Sequence, residues 1–119
     1  MLENQLAVLI LLPRFYNPDA RGRRKRVEQE KFKETIEEII KRFGACLLDD
    51  RNTRTGFWVD RGILMEDDIV ILEVDTVDDE ENRNWFITYA QEVLCVRFGQ
   101  RGIYVRFFAV EAGVVRSKD

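Results

Sequence analysis

Seven consecutive apolar residues, Leu6 to Leu12, run without alternation into Pro13. A strand with one wet face alternates polar and apolar side chains, so an unbroken run must be covered on both faces or lie at the centre of a sheet. The run is far shorter than the roughly 20 apolar residues that span a bilayer. Pro13 then ends strand pairing, because it has no N–H to give. A second segment of this kind, Ile69 to Val74, is β-branched and mostly apolar. Two central strands of one sheet are the first inference.

The chain between them carries a helical period. Phe32, Ile36, Ile39, Ile40 and Phe43 follow at spacings of 4, 3, 1 and 3, which is one stripe at about 3.6 residues per turn. Glu30, Lys33, Glu34, Glu37, Glu38 and Lys41 fill the other face, and Glu37 with Lys41 and Glu38 with Arg42 have the favourable i, i+4 order. Gly44 is placed to cap the helix. A second helix is expected from Asp78 as N-cap, with Glu81 three residues on, through Phe86, Tyr89, Ala90, Val93 and Leu94 to Gly99. Ala45 to Leu48 reads as a short strand and Asp49 to Thr55 as a polar turn. Gly56 to Val59 and Ile63 to Met65 flank Asp60-Arg61-Gly62 as a hairpin or a bulged strand extension. Ile103 to Val110 is the last strand, and 113–119 a tail.

The order is βαββαβ, the ferredoxin-like split βαβ plan. The expected class is α+β: an antiparallel four-stranded sheet with a hairpin extension and two helices on one face, the first and third strands being central. The 119 residues make one domain, 1–119, large enough for a single core. With 45% hydrophobic residues the chain is too apolar for intrinsic disorder.

Several chemistries lose their usual residues. The chain has no histidine and its one serine is Ser117, which removes the common general base, the commonest metal ligand and the serine nucleophile. Two cysteines exclude a disulfide scaffold. Cys46 and Cys95 lie among apolar neighbours and read as buried structural thiols, with no histidine to activate them. Trp58 and Trp85 read as hairpin and helix packing. The opening residues, Met1 to Gln5, lack the basic region of a secretory signal, so a cytoplasmic protein with reduced thiols and no membrane partner is expected.

The formal net charge of −3 conceals a strong asymmetry. In the loop 13–26, Arg14, Arg21, Arg23, Arg24, Lys25 and Arg26 face only Asp19 and lead into the first helix. Cations at the positive end of a helix dipole are unfavourable unless an anion joins them, and arginine forks beside helix N–H groups suit phosphate or carboxylate. These six residues are the candidate site for an anionic partner, either nucleic acid or an acidic protein surface. Pairing with Glu28 and Glu30 is the plainer explanation of the same run. The span from Asp60 to Glu81 is acidic, with Arg61 its one cation. Asp49, Glu66, Asp67 and Asp68 could supply oxygen ligands to Mg²⁺, which would make a small metal-dependent nuclease. The spacing is not that of an EF-hand loop.

Phe107 and Phe108 are adjacent, so the last strand carries an aromatic on each face. Tyr104, Arg106 and Phe108 would stand on the helix-free face, which favours a covering partner, another copy of the chain being the simplest. The strand order is also that of the RNA-recognition motif, but Ile69 to Val74 has no aromatic, and Arg101-Gly102-Ile103-Tyr104 lies on the wrong strand.

The apolar first strand, Gly56-Phe57-Trp58, and Arg97-Phe98-Gly99-Gln100 before the final strand together resemble small uncharacterised bacterial βαββαβ proteins of ferredoxin-like fold. That resemblance implies a fold and no assigned activity. The expectation is therefore a non-enzymatic binding or assembly module, homo-oligomeric and without cofactor, with the nuclease as the alternative.

Overall fold

The computed structural model describes residues 1–119, with the side chains of all but 52 and 53. Its elements are β1 (Glu3–Pro13), α1 (Gln29–Phe43), β2 (Leu47–Asp60), β3 (Ile63–Thr76), α2 (Glu80–Tyr89), a π-helical turn (Ala90–Leu94), α3 (Cys95–Arg97) and β4 (Tyr104–Ala112). The sheet order is β2-β3-β1-β4 and every pairing is antiparallel. The two uniformly apolar segments are thus the central strands, and the fold is α+β, consistent with the ferredoxin-like plan.

One parity of each central strand is buried. Leu6, Val8, Ile10 and Leu12 of β1 and Val70, Leu72 and Val74 of β3 form one cluster with Phe32 and Ile39 of α1, Phe86 and Tyr89 of α2, Leu94 and Phe98. Both helices therefore cover the same face. Phe43 stacks on Phe86 at 4.8 Å, Trp85 meets Phe43 edge-on at 5.1 Å, and Phe32 meets Phe98 edge-on at 5.2 Å, contacts that join the helices beyond simple area burial. Arg97 ties α3 to α1: it pairs with Glu38 at 2.6 Å and Glu34 at 3.3 Å, and donates to the fully buried Thr35 hydroxyl at 2.9 Å.

Four local expectations are corrected. Residues 49–55 are strand, not turn; the polar composition reflects a register shift between Asp49 and Arg54 at the outer edge of the sheet. The N-cap of α2 is Asp79, whose carboxylate accepts from the Asn82 N–H at 2.7 Å, while Asp78 pairs with Arg83. The second helix also widens into a π turn before α3, and Gly99, in the left-handed region at φ 60°, follows it. Cys46 and Cys95 are half-buried rather than fully enclosed, with burial pushing the Cys46 thiol up.

Length sets the outline of the molecule. β2 and β3 have 14 residues each, about 46 Å of strand at 3.3 Å per residue, whereas the 15 residues of α1 reach only about 22 Å. The strands must overhang the helix layer. The overhang closes through Arg61 and Gly62, both with positive φ (52° and 79°), the requirement of a two-residue I′ turn. The molecule measures 59 × 30 × 22 Å with a radius of gyration of 16.0 Å, against about 13.5 Å for a compact chain of this size.

Candidate interaction surfaces

The face of the sheet away from the helices has no covering layer. Register places its side chains in rows across three strands: Ile71, Leu11 and Tyr104; Glu73, Leu9 and Arg106; Asp75, Ala7 and Phe108. Tyr104 and Phe108 are exposed, as the sequence pattern leads one to expect, and the Arg106 guanidinium lies 5.6 Å from the Tyr104 ring centre. At one end of this face Leu11, Pro13, Ile69, Tyr104, Trp58 and Gly56 line a largely apolar groove of about 540 Å³. A side chain on Gly56 would press on Ile69, 3.1 Å from where its Cβ would lie.

The overhanging hairpin is apolar on both faces. Phe57, Val59 and Leu64 share one side by register and alternation, and Trp58, Met65 and Ile63 the other. Phe57, Val59, Ile63 and Leu64 are each 63–68% exposed. Residue-by-residue reading misses this, because the segment looks like a short local hairpin. The signal is present as apolar residues at both parities on each side of Asp60-Arg61-Gly62.

The arginine run is a small hairpin of its own rather than an open loop. Tyr16 N–H donates to Lys25 O and Val27 N–H to Arg14 O, both at 2.8 Å, and the Asp19 carboxylate accepts from the N–H groups of Arg21 and Arg23 at its tip. This geometry divides the six cations. Arg24 turns inward: it pairs with Asp67 at 2.5 Å and donates to Glu66 O at 2.9 Å and Tyr16 O at 3.1 Å. Arg14 donates to Asp50 O at 2.7 Å, and Lys25 pairs with Glu28 at 2.9 Å. Arg21, Arg23 and Arg26 are exposed and, among the described residues, make no ion pair. Glu28 is the N-cap residue of α1, but its carboxylate makes no cap hydrogen bond and instead faces Tyr16, Lys25 and Lys31. A hydrogen bond from the Tyr16 hydroxyl, and then Lys25, hold its carboxyl down at about 2.

The acidic run is not gathered into one site. Alternation along β3 turns Asp67 to the face opposite Glu66 and Asp68. Asp49 pairs with Ile71, four residues and about 13 Å along the strand from Asp67. The Asp67 side chain is wholly buried; burial pushes its carboxyl up while the Arg24 guanidinium draws it down. Among the described residues no group of three or more His, Cys, Asp or Glu is arranged to hold a metal ion. Mg²⁺ at this acidic run would have to displace Arg24, so the residues present do not fit it. No helix among the described residues is long and apolar enough to cross a membrane.

No family model and no curated protein matches the chain. Among solved structures, the divalent cation tolerance protein (Cut A1) of Thermus thermophilus is similar over 98% of this chain and 88% of its own, with a TM-score of 0.53 and 11% sequence identity. The likeness is one of fold. It extends over the βαββαβ core and supports the α+β assignment reached from register and burial.

Proposed function

We propose that this chain is a non-enzymatic assembly and binding module. Copies associate through the overhanging hairpin and the open sheet face, and the arginine hairpin of each copy takes up an anionic partner. The observation that carries this reading is the overhang with apolar residues on both faces. A two-stranded hairpin alone in water is marginal at best, and edge strands with exposed apolar side chains invite pairing. The amount of surface agrees. The chain exposes 8423 Å², whereas a folded monomer of its mass exposes about 6,700 Å². That excess is about twice the roughly 800 Å² per partner of a standard interface.

The anion-binding part rests on Arg21, Arg23 and Arg26, the three exposed cations of the run with no ion pair among the described residues. Three arginines on a single-stranded phosphate backbone give a salt slope of about −2 in log K against log salt. Hydrolysis at a metal bound by Asp49, Glu66, Asp67 and Asp68 finds less support, because Arg24 already holds the buried carboxylate.

Light scattering on a sizing column tests the reading. Wild type should elute as one defined oligomer at low and high salt, and Phe57→Asp with Leu64→Asp should reduce its size while leaving it folded. A wild-type monomer at tens of micromolar would overturn the assembly reading. Binding of a labelled single-stranded oligonucleotide and of a poly-glutamate peptide, each with and without Arg21, Arg23 and Arg26 changed to Glu, tests the arginine hairpin and separates the two anion classes.

A further inference from the structure

The open face has a charge arrangement that self-association alone does not require. In its central row Leu9 is paired on one side with Glu73 and on the other with Arg106. The two opposite charges stand two strands apart, about 9.6 Å between backbones, with an apolar side chain between them. Among the described residues neither makes an ion pair within the chain. The rows on either side are apolar at the strand where closest approach would occur: Leu11 in one and Ala7 in the other.

We infer that the open face docks on the open face of a second copy about a two-fold axis running along β1, so that Glu73 of each copy pairs with Arg106 of the other. The inference rests on the self-association proposed above and names its register. Rotation about an axis parallel to β1 and midway between the two sheets leaves each row at its own height but exchanges left and right. The β3 side chain of one copy therefore lies over the β4 side chain of the other. Leu9 meets Leu9, Ile71 meets Tyr104, and Glu73 meets Arg106 twice, as an isologous contact demands. In the third row Asp75, which is exposed in the single chain, lies over Phe108 of the other copy. Sheets packed face to face sit about 10 Å apart, a gap that one glutamate and one arginine can bridge together. A shift by one row along the strands would place Glu73 beside Tyr104 or Phe108 and leave both charges unpaired in the contact, so the pair selects one register. Interfacial charges act on specificity in this way more than on raw affinity.

Charge reversal tests the pairing. Glu73→Arg alone and Arg106→Glu alone should each raise the dissociation constant about tenfold or more, measured by sedimentation velocity. The double reversal should return it to within a few-fold of wild type, with circular dichroism confirming folding throughout. Independently, Leu9→Cys should be joined between copies by a short bifunctional thiol reagent, because the axis passes beside that position and face-packed sheets hold the two backbones about 10 Å apart, too far for a direct disulfide. If wild type assembles but the double reversal is no better than the singles, the pairing is wrong while self-association stands. Restoration without the Leu9→Cys cross-link would overturn the two-fold axis. A monomeric wild type would remove the self-association reading and this inference with it.

Discussion

The ion pair between Arg24 and Asp67 is the sharpest point at which to perturb this fold. The Asp67 side chain is fully buried and its second carboxylate oxygen, Oδ2, has no partner, so Arg24 is its one compensating charge among the described residues. Arg24→Ala also removes donors to Glu66 O and Tyr16 O, leaving the Arg14 N–H to Asp68 O hydrogen bond as the backbone link between the arginine hairpin and β3. Breaking a buried pair from one side costs about 3–5 kcal/mol, which moves a urea midpoint by about 2 M for a typical small-domain m-value near 2 kcal/mol/M. The sign of the pH dependence follows from the same groups. Without Arg24, burial, the largest influence on Asp67, is no longer opposed by the guanidinium, and the folded-state carboxyl rises further. The folded variant then holds a proton that the unfolded chain releases, so its stability increases as pH falls through that range. The penalty of Arg24→Ala should accordingly be largest near pH 7 and shrink toward pH 4. Replacing both partners, Arg24→Leu with Asp67→Leu, should cost less than Arg24→Ala alone, since no buried charge is stranded. The measurement is urea denaturation followed by circular dichroism at one protein concentration, since assembly adds to apparent stability. A cost below about 1 kcal/mol at pH 7, or a double variant that loses as much as the single, would refute the reasoning.

Other consequences can be checked separately. Glu28 should titrate near 2 by side-chain carboxyl NMR, and Tyr16→Phe should move it up toward 4.5, because the tyrosine hydroxyl is the largest cause of the depression. With a folded value below the unfolded one, its contribution is present above pH 4.5 and is lost as pH falls toward 2. Arg97→Met should loosen α3 from α1, lowering stability by about 1–3 kcal/mol through the Thr35 and Glu38 contacts, and raising amide exchange over 95–99 more than in the sheet. Gly113→Val should destabilise the edge between the chain start and β4, since a Cβ there falls on the Met1 carbonyl oxygen; the thermal midpoint reads this, and an unchanged midpoint would show that the two segments separate freely.

How much of this was legible in the sequence depends on the range of each interaction. The central strands were legible because burial on both faces writes a continuous apolar run, and α1 was legible because its stripe is amphipathic and its stop signal, Gly44, is local. Asp79 displaces Asp78 as the cap because two adjacent acids satisfy the same pattern, and only the partner of Asp78, Arg83, decides between them. The stretch 49–55 escapes local reading because edge strands carry polar residues, which look like a turn. The arginine run shows the same limit at the candidate site. Nothing in 13–26 distinguishes Arg24 from Arg23, yet one is held by a carboxylate 43 positions away and the other faces water. Composition located the basic element, and tertiary contact selected which cations remain for a partner.

The hairpin and the sheet face ask for different kinds of cover, and this bears on what a partner must be. The sheet face is rigid, since its backbone is paired on both sides of β1 and its rows are fixed by register. It needs only one layer against it. The overhang has side chains on two faces and no third strand, so a single flat partner would leave one side bare. A small acidic or basic ligand cannot cover either region. A second copy supplies both a matching sheet face and an equally long apolar hairpin at the same end of the strands, because a two-fold axis along β1 preserves direction. The two overhangs would then project from the same end of the pair, one on each side of the axis. Their apolar faces, bearing Phe57, Val59 and Leu64 or Trp58, Met65 and Ile63, would remain as the place where one pair of chains meets the next. Phe57→Asp with Leu64→Asp changes only the first of these sets. Assembly that stops at a dimer in that variant, while wild type goes further, would place the Phe57 side at the outer contact; full dissociation would place it at the inner one.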